Sequence, residues 1–228
     1  MKHLTLIFLL LFISCRSQDV TTKKADEIET LATELCENFN RNWEQQSKLQ
    51  LELVQKEILK DTLNEDVLRK LNTLNYKLTR YLWKNCSKYQ LKSYTLGSLL
   101  TRVLDIDNTF SNDEFKNLEN QIKEVENLKK IQIMVVTIDD LYPYKDAIEY
   151  SIELGNKWGI GKYPENGGVM IILDKQNRQI RISTDEILRQ KLTDEECSKI
   201  IQKATSFFKE KEFYNGLSLM IEEIKNNI

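Results

Sequence analysis

Apolar residues along this chain of 228 residues recur in three rhythms. From Asp26 onward, Ile28, Leu31, Leu35, Phe39 and Trp43 follow one another at spacings of three and four, which aligns them on one face of a helix. Leu51, Val54 and Ile58 make a second stripe, and Val67, Leu71, Leu74, Leu78 and Leu82 a third, with the breaking segment DTLNED between them. Residues 26–97 are therefore expected to form a small α-helical module, a hairpin or a three-helix bundle. Beyond Gly97 the rhythm changes. SNDEFKNLENQIKEVENL predicts a capped amphipathic helix, with Ser111 as the cap, Glu114 three residues on, and Phe115, Leu118, Ile122 and Val125 along one face. KIQIMVVTI at 130–138 is continuous and β-branched, as a strand buried on both faces requires. Residues 144–158 read as a helix, GGVMIILD and RQIRIST as strands joined by a turn at 175–177, and 194–210 and 212–226 as closing helices. Helices alternating with a buried sheet predict an α/β sandwich.

The third rhythm is the uninterrupted run at the start, MKHLTLIFLLLFISC. Lys2 precedes apolar residues from Leu4 to Ile13, too short a stretch to span a bilayer, and the pattern is that of a secretory signal. It ends in Phe12-Ile13-Ser14-Cys15, which resembles a bacterial lipobox, so Cys15 is expected to be lipidated. Ordinary cleavage nearby, with loss of Cys15, is the alternative. Residues 16–25 are polar and aperiodic, as a tether would be. Acyl chains contribute about 0.8 kcal/mol per buried methylene, enough to hold the protein at a membrane of the bacterial cell envelope. Arg16 stands where an aspartate would mark inner-membrane retention, so the expected location is the outer membrane, facing the periplasm.

Composition narrows the chemistry. With a formal net charge of −2, the chain gives no reason to expect nucleic acid as a partner. Its single histidine, His3, lies inside the signal, which removes Ser–His–Asp and Cys–His catalysis and histidine-ligated zinc from the mature chain. Export implies an oxidising compartment, where Cys36 and Cys86 are expected to form a disulfide; two buried free thiols are the alternative. Cys197 reads as a half-buried thiol with no base beside it.

WGIGKYPENGGVMIILD, residues 158–174, holds four of the seven glycines. A nucleotide loop follows a strand and opens a helix; this stretch follows a helix and opens a strand. Pro164 stands where a dinucleotide fingerprint needs a small residue, and no G-x-x-x-x-G-K-[ST] is present. Gly159 and Gly161 therefore read as a helix-end corner and Gly167-Gly168 as a strand entry, and no nucleotide is expected.

The ordered landmarks DIDNTFS (105–111), KIQIMVVTID (130–139), WGIG (158–161), NGGVMIILDKQNRQIRIST (166–184), KLTDEEC (191–197) and FYNGL (213–217) resemble the TPM domain family. The resemblance covers 103–228 and implies an α/β/α sandwich with a mixed sheet, giving a plan of signal (1–15), tether (16–25), helical module (26–97) and TPM-like domain (103–228). Some members of that family resemble weak, divalent-metal-assisted acid phosphatases; others resemble accessory factors in membrane-protein repair or assembly. The family's aspartates fall on Asp105 and Asp194, and the arginine of its return strand on Arg181 as a ligand contact. Asp139 and Asp140 follow the strand at 130–138, Asp105 and Asp107 precede the first helix of this domain and Asp194 starts another, and the five carboxylates together are candidates to hold Ca²⁺ or Mg²⁺ through oxygen. Taken singly, each has the alternative of a cap or a turn residue. Where the family reads G-x-G-L-E, this chain has Asp185-Glu186-Ile187-Leu188-Arg189, and the added carboxylates disfavour phosphate. The expected role is that of a lipid-anchored binding or accessory module for membrane-associated protein partners. Metal-assisted hydrolysis of phosphomonoesters is the alternative.

Overall fold

The computed structural model describes residues 18–37, 52, 65–86, 101–138, 140–142, 144–162 and 165–228. Cys15, Phe39, Trp43, Asp139, Pro164 and the Leu51-Val54-Ile58 stripe lie outside the described residues. Helix α1 (Gln18–Glu37) and helix α2 (Glu65–Asn85) pair through Leu31, Ala32 and Leu35 on one side and Val67, Leu71, Leu78 and Leu82 on the other. These are residues of the first and third apolar stripes. Cys36 and Cys86 are joined by a disulfide whose Cα atoms lie 5.8 Å apart, which closes the pair at one end.

A four-stranded mixed sheet follows, built from β1 (Val103–Asp105), β2 (Gln132–Ile138), β3 (Gly168–Asp174) and β4 (Gln179–Thr184) in that spatial order. The first three strands are parallel and β4 returns antiparallel to β3. Helices α3 (Asn112–Lys129), α5 (Asp194–Lys209) and α6 (Phe213–Asn227) cover one face, where Val103, Val135, Ile171 and Leu173 meet Leu118, Ile122, Ile200 and Leu217. On the other face Leu104, Met134, Val136, Met170 and Ile172 meet Tyr150 and Leu154 of α4 (Ala147–Trp158), and also Tyr76 of α2. Cover on both faces is why β2 and β3 carry apolar residues at nearly every position. Among the described residues no helix is long and apolar enough to cross a membrane.

Local chemistry sets the element ends. The Ser111–Glu114 capping box is present, with the Glu114 amide donating to Ser111 Oγ at 3.3 Å and the Ser111 amide donating to the Glu114 carboxylate at 2.8 Å. Helix α4 starts three residues later than its apolar pattern suggests, because Asp146 caps it by accepting from the Ile148 and Glu149 amides. It ends at Gly159 in the left-handed conformation, as the sequence predicts. The short strand β1 is sealed on its outer edge by Glu119, a buried carboxylate of α3 that accepts from the Arg102 and Val103 amides at 2.6 Å each. Burial holds the Glu119 carboxyl above its ordinary pKa, against the lowering effect of those two amides.

Candidate functional site

Parallel strands of an open α/β sheet deliver polar side chains at their carboxyl ends. Here β1 ends on Asp105, β2 on Thr137 and Ile138, and β3 on Asp174. Asp105 is buried, and both of its oxygens are occupied. Oδ1 accepts from the Thr109 amide and from Thr137 Oγ1, both at 2.8 Å; Oδ2 accepts from the Phe110 amide at 3.2 Å and from Arg69 Nη2. That makes four donors for four lone-pair directions. Arg69 comes from α2 and is itself largely buried. It also donates to the Phe110 carbonyl at 2.6 Å and to Asn112 Oδ1 at 3.1 Å, and its guanidinium carbon sits 4.7 Å from the centre of the Phe115 ring.

Three further residues of α2 continue this contact. Asn72 donates to Thr101 Oγ1, Thr73 Oγ1 donates to the Asp105 carbonyl at 3.2 Å, and the hydroxyls of Tyr76 and Tyr150 are hydrogen-bonded. Residues 69, 72, 73 and 76 fall on one helical face, set apart from the Val67–Leu82 stripe that packs on α1. Sequence reasoning missed this face, because polar residues on a helix usually face water. The signal was present in the uncharged run Asn72, Thr73 and Tyr76 at helical spacing.

The other candidate carboxylates are dispersed. Asp107 accepts from Thr109 Oγ1 and pairs with Lys175 at 3.0 Å. Asp140 accepts from the Tyr142 amide at 3.0 Å and forms a turn. Asp174 accepts from the Asn177 amide and side chain and shapes the β3–β4 hairpin. Asp194 begins α5, although the cap is Thr193, which accepts from the Glu196 amide at 3.3 Å. The chain leaves β4 at Thr184, opposite Val169 near the amino end of β3, so α5 starts beyond the end of the parallel strands remote from Asp105. Asp105 and Asp107 are thus brought into one loop and Asp194 is not. Among the described residues, no three His, Cys, Asp or Glu side chains come together as metal ligands. The described residues of the β1–α3 loop do not fit a divalent cation: Asp105 has both oxygens engaged, and Asp107 is shared between a hydroxyl and an ammonium.

Residues 103–227 match the TPM domain. The chain belongs to the TPM domain family. Among solved structures, the N-terminal domain of a protein from P. gingivalis, determined in solution by NMR, is 23% identical with a TM-score of 0.50 over 55% of this chain and 81% of that one. The N-terminal domain of the cg2496 protein from Corynebacterium glutamicum is 16% identical with a TM-score of 0.47, over 59% of this chain and 84% of that one. The first of these supports the fold. A comparison with curated proteins returns no match. Arg69, which closes the Asp105 site, lies outside the segment that defines the TPM domain.

Two further regions of this TPM domain bear on function. The glycine-rich stretch is a backbone crossing: a Cβ on Gly161, whose φ is +83°, would lie 2.6 Å from the Gly168 amide nitrogen, and one on Gly168 would lie 2.5 Å from the Gly161 nitrogen. The Asp185 side chain is wedged against this corner and accepts from the Leu188 amide at 2.8 Å. The carboxylates that depart from the family pattern therefore begin with one that packs on the glycines.

Beside that corner, between α4 and the turn after β4, lies a cleft of about 400 Å³. Ser151, Ile152 and Gly155 line one wall and Ser183, Thr184 and Arg189 the other, with Ser151 Oγ and Ser183 Oγ 2.7 Å apart. Arg181 Nε donates to Ser183 Oγ at 3.3 Å, so this candidate ligand residue serves the cleft floor rather than the Asp105 loop. Ile152 on the cleft wall is 52% exposed; Ile148, one turn earlier on α4, and Ile187, next in sequence to the lining residue Glu186, are 47% and 50% exposed. Cys197 is buried and has its thiol pushed up to about 11, chiefly by burial with the Asp194 charge adding, so it is protonated at neutral pH.

Proposed function

We propose that the protein is a lipid-anchored binding or accessory module of the bacterial cell envelope, facing the periplasm from the outer membrane, and that it docks membrane-associated protein partners through the cleft between α4 and the β4 turn. The observation that carries this reading is the open cleft with half-exposed Ile152 on its wall, together with the comparably exposed Ile148 one helical turn earlier and Ile187 next in sequence to the lining residue Glu186. A cleft of about 400 Å³ is large enough for one or two apolar side chains of a partner, and the Ser151–Ser183 hydrogen bond holds α4 to β4 at its base. Hydrolysis of phosphomonoesters finds less support, because Asp105 and Asp107, the two candidate carboxylates that share a loop, are engaged by amides, hydroxyls, Lys175 and Arg69.

A photo-reactive residue in place of Ile152 in the full-length, membrane-tethered chain tests this reading. We expect a crosslink to a membrane protein that is lost when Ile148 and Ile187 are changed to Ser. Turnover of a phosphomonoester by the purified chain with Mg²⁺, Ca²⁺ or Mn²⁺, abolished in Asp107→Asn, would favour the enzyme instead. Anchoring is tested separately: labelled palmitate should enter the wild-type chain and not Cys15→Ala.

A further inference from the structure

We infer that the loop between β1 and α3 is a guanidinium-binding site, built to take a planar monovalent cation and filled in cis by Arg69. Asp105 Oδ2, the Phe110 carbonyl and Asn112 Oδ1 receive hydrogens from the two terminal nitrogens of one guanidinium, and the Phe115 ring lies 4.7 Å from its carbon. A fork of donors matched to several acceptors over an aromatic face is the geometry that distinguishes arginine from lysine. A lysine ammonium is a compact point charge and would have to choose among these acceptors. A divalent cation gains little from the ring and needs six or more oxygens, whereas of the two carboxylates in this loop Asp105 already serves Thr109 and Thr137 with its other oxygen and Asp107 is paired with Lys175.

The arginine reaches the loop from a part of the chain before the TPM match, so the domain is completed by a side chain it does not itself contain. Arg69 is held there by its own helix, since Asn72, Thr73 and Tyr76 seat α2 on the same side of the sheet edge. The loop therefore serves as the receptor and α2 as its attached ligand. This inference does not depend on the docking role of the α4 cleft.

Chemical rescue tests it in the full-length chain. Arg69→Ala should lower Tm by about 10 °C, because a buried carboxylate loses its counter-ion in a chain of this size. Ethylguanidinium at about 20 mM should recover roughly 3 °C or more of that loss in Arg69→Ala and leave the wild type unmoved. Sodium, Mg²⁺ and Ca²⁺ at matched ionic strength should recover none of it. Rescue by a divalent cation, or none by ethylguanidinium, overturns the assignment. If Arg69→Ala does not fold, Arg69→Lys decides: a Tm about 5 °C or more below wild type supports the planar site, and an unchanged Tm means that the loop reads charge alone.

Discussion

The carboxyl ends of the parallel strands and the α4 side of the sheet treat exposed chemistry in opposite ways. At the carboxyl ends, where α/β folds ordinarily receive ligands, the strongest acceptor is buried and filled by the chain's own arginine and amides. On the α4 side, a cleft of about 400 Å³ is left open among isoleucines at the surface. The difference teaches that the strand ends where α/β folds ordinarily receive ligands need not be the surface a chain leaves open. Here helix α2, which lies before the matched segment, closes that end with its own arginine.

The comparison can be broken most forcefully at its closed end. Asp105→Asn leaves the Arg69 guanidinium facing an amide in a buried loop, and we expect about 3–5 kcal/mol of stability to be lost, read from urea denaturation. A loss under about 1 kcal/mol would mean that the carboxyl end is not closed by this pair. Because of that destabilisation, loss of any activity in Asp105→Asn says nothing about catalysis, whereas Asp107→Asn is the cleaner probe. Replacing both Cys36 and Cys86 by Ser should cost about 3–4 kcal/mol, since the bridge spans a sequence separation of 50. Thermal unfolding with and without reductant measures it on the unmodified chain.

Glu119 sharpens the contrast between a sealed edge and an open cleft. Glu119→Leu strands the Arg102 and Val103 amides and should cost about 2–3 kcal/mol; Glu119→Gln retains an acceptor and should cost less than about 1 kcal/mol. The two variants also differ from wild type in pH dependence. The folded protein binds the Glu119 proton more tightly than the unfolded chain does, because burial raises its pKa from 4.5. Its contribution is therefore greatest below the unfolded value, falls as pH rises through the raised folded value, and is level above that. Glu119→Gln should flatten that part of the stability–pH curve, seen in denaturation midpoints taken across the acid range. Smallest in stability is Ile148→Ser with Ile152→Ser, expected within about 0.5 kcal/mol of wild type because both residues are half-exposed. Its effect should appear only in partner capture, and a large stability loss would mean that the α4 face is core rather than docking surface.

Much of the fold was legible in the order of residues. Ile133 to Ile138 announce a strand buried on both faces, and Ser111 with Glu114 announces a helix start, because these signals act within a few residues of themselves. The Cys36–Cys86 pairing was legible as an expectation, and the structure closes it. The candidate site was legible only as a set of acidic residues. Asp105, Asp107 and Asp194 have the right chemistry for a common cation, but strand β4 carries the chain to the far end of the sheet before α5 begins. Arg69 carried no signal at all toward Asp105, because the two are 36 residues apart and the charges of α2 look like any solvated helix face.

By itself, the sequence determined the kind of most described elements from Asn112 onward, the family of its second part, and the absence of histidine from any chemistry beyond position 3. These follow from periodicity, local capping and composition, which are properties of neighbours along the chain. Strand β1 and the start of α1 at Gln18, inside the stretch read as a tether, were not among them. Only the tertiary structure decided which carboxylate is free and which is taken. That depends on distances between elements remote in sequence, and a buried carboxylate must find donors wherever the fold brings them. In this protein one of those donors is an arginine on a helix that precedes the matched segment.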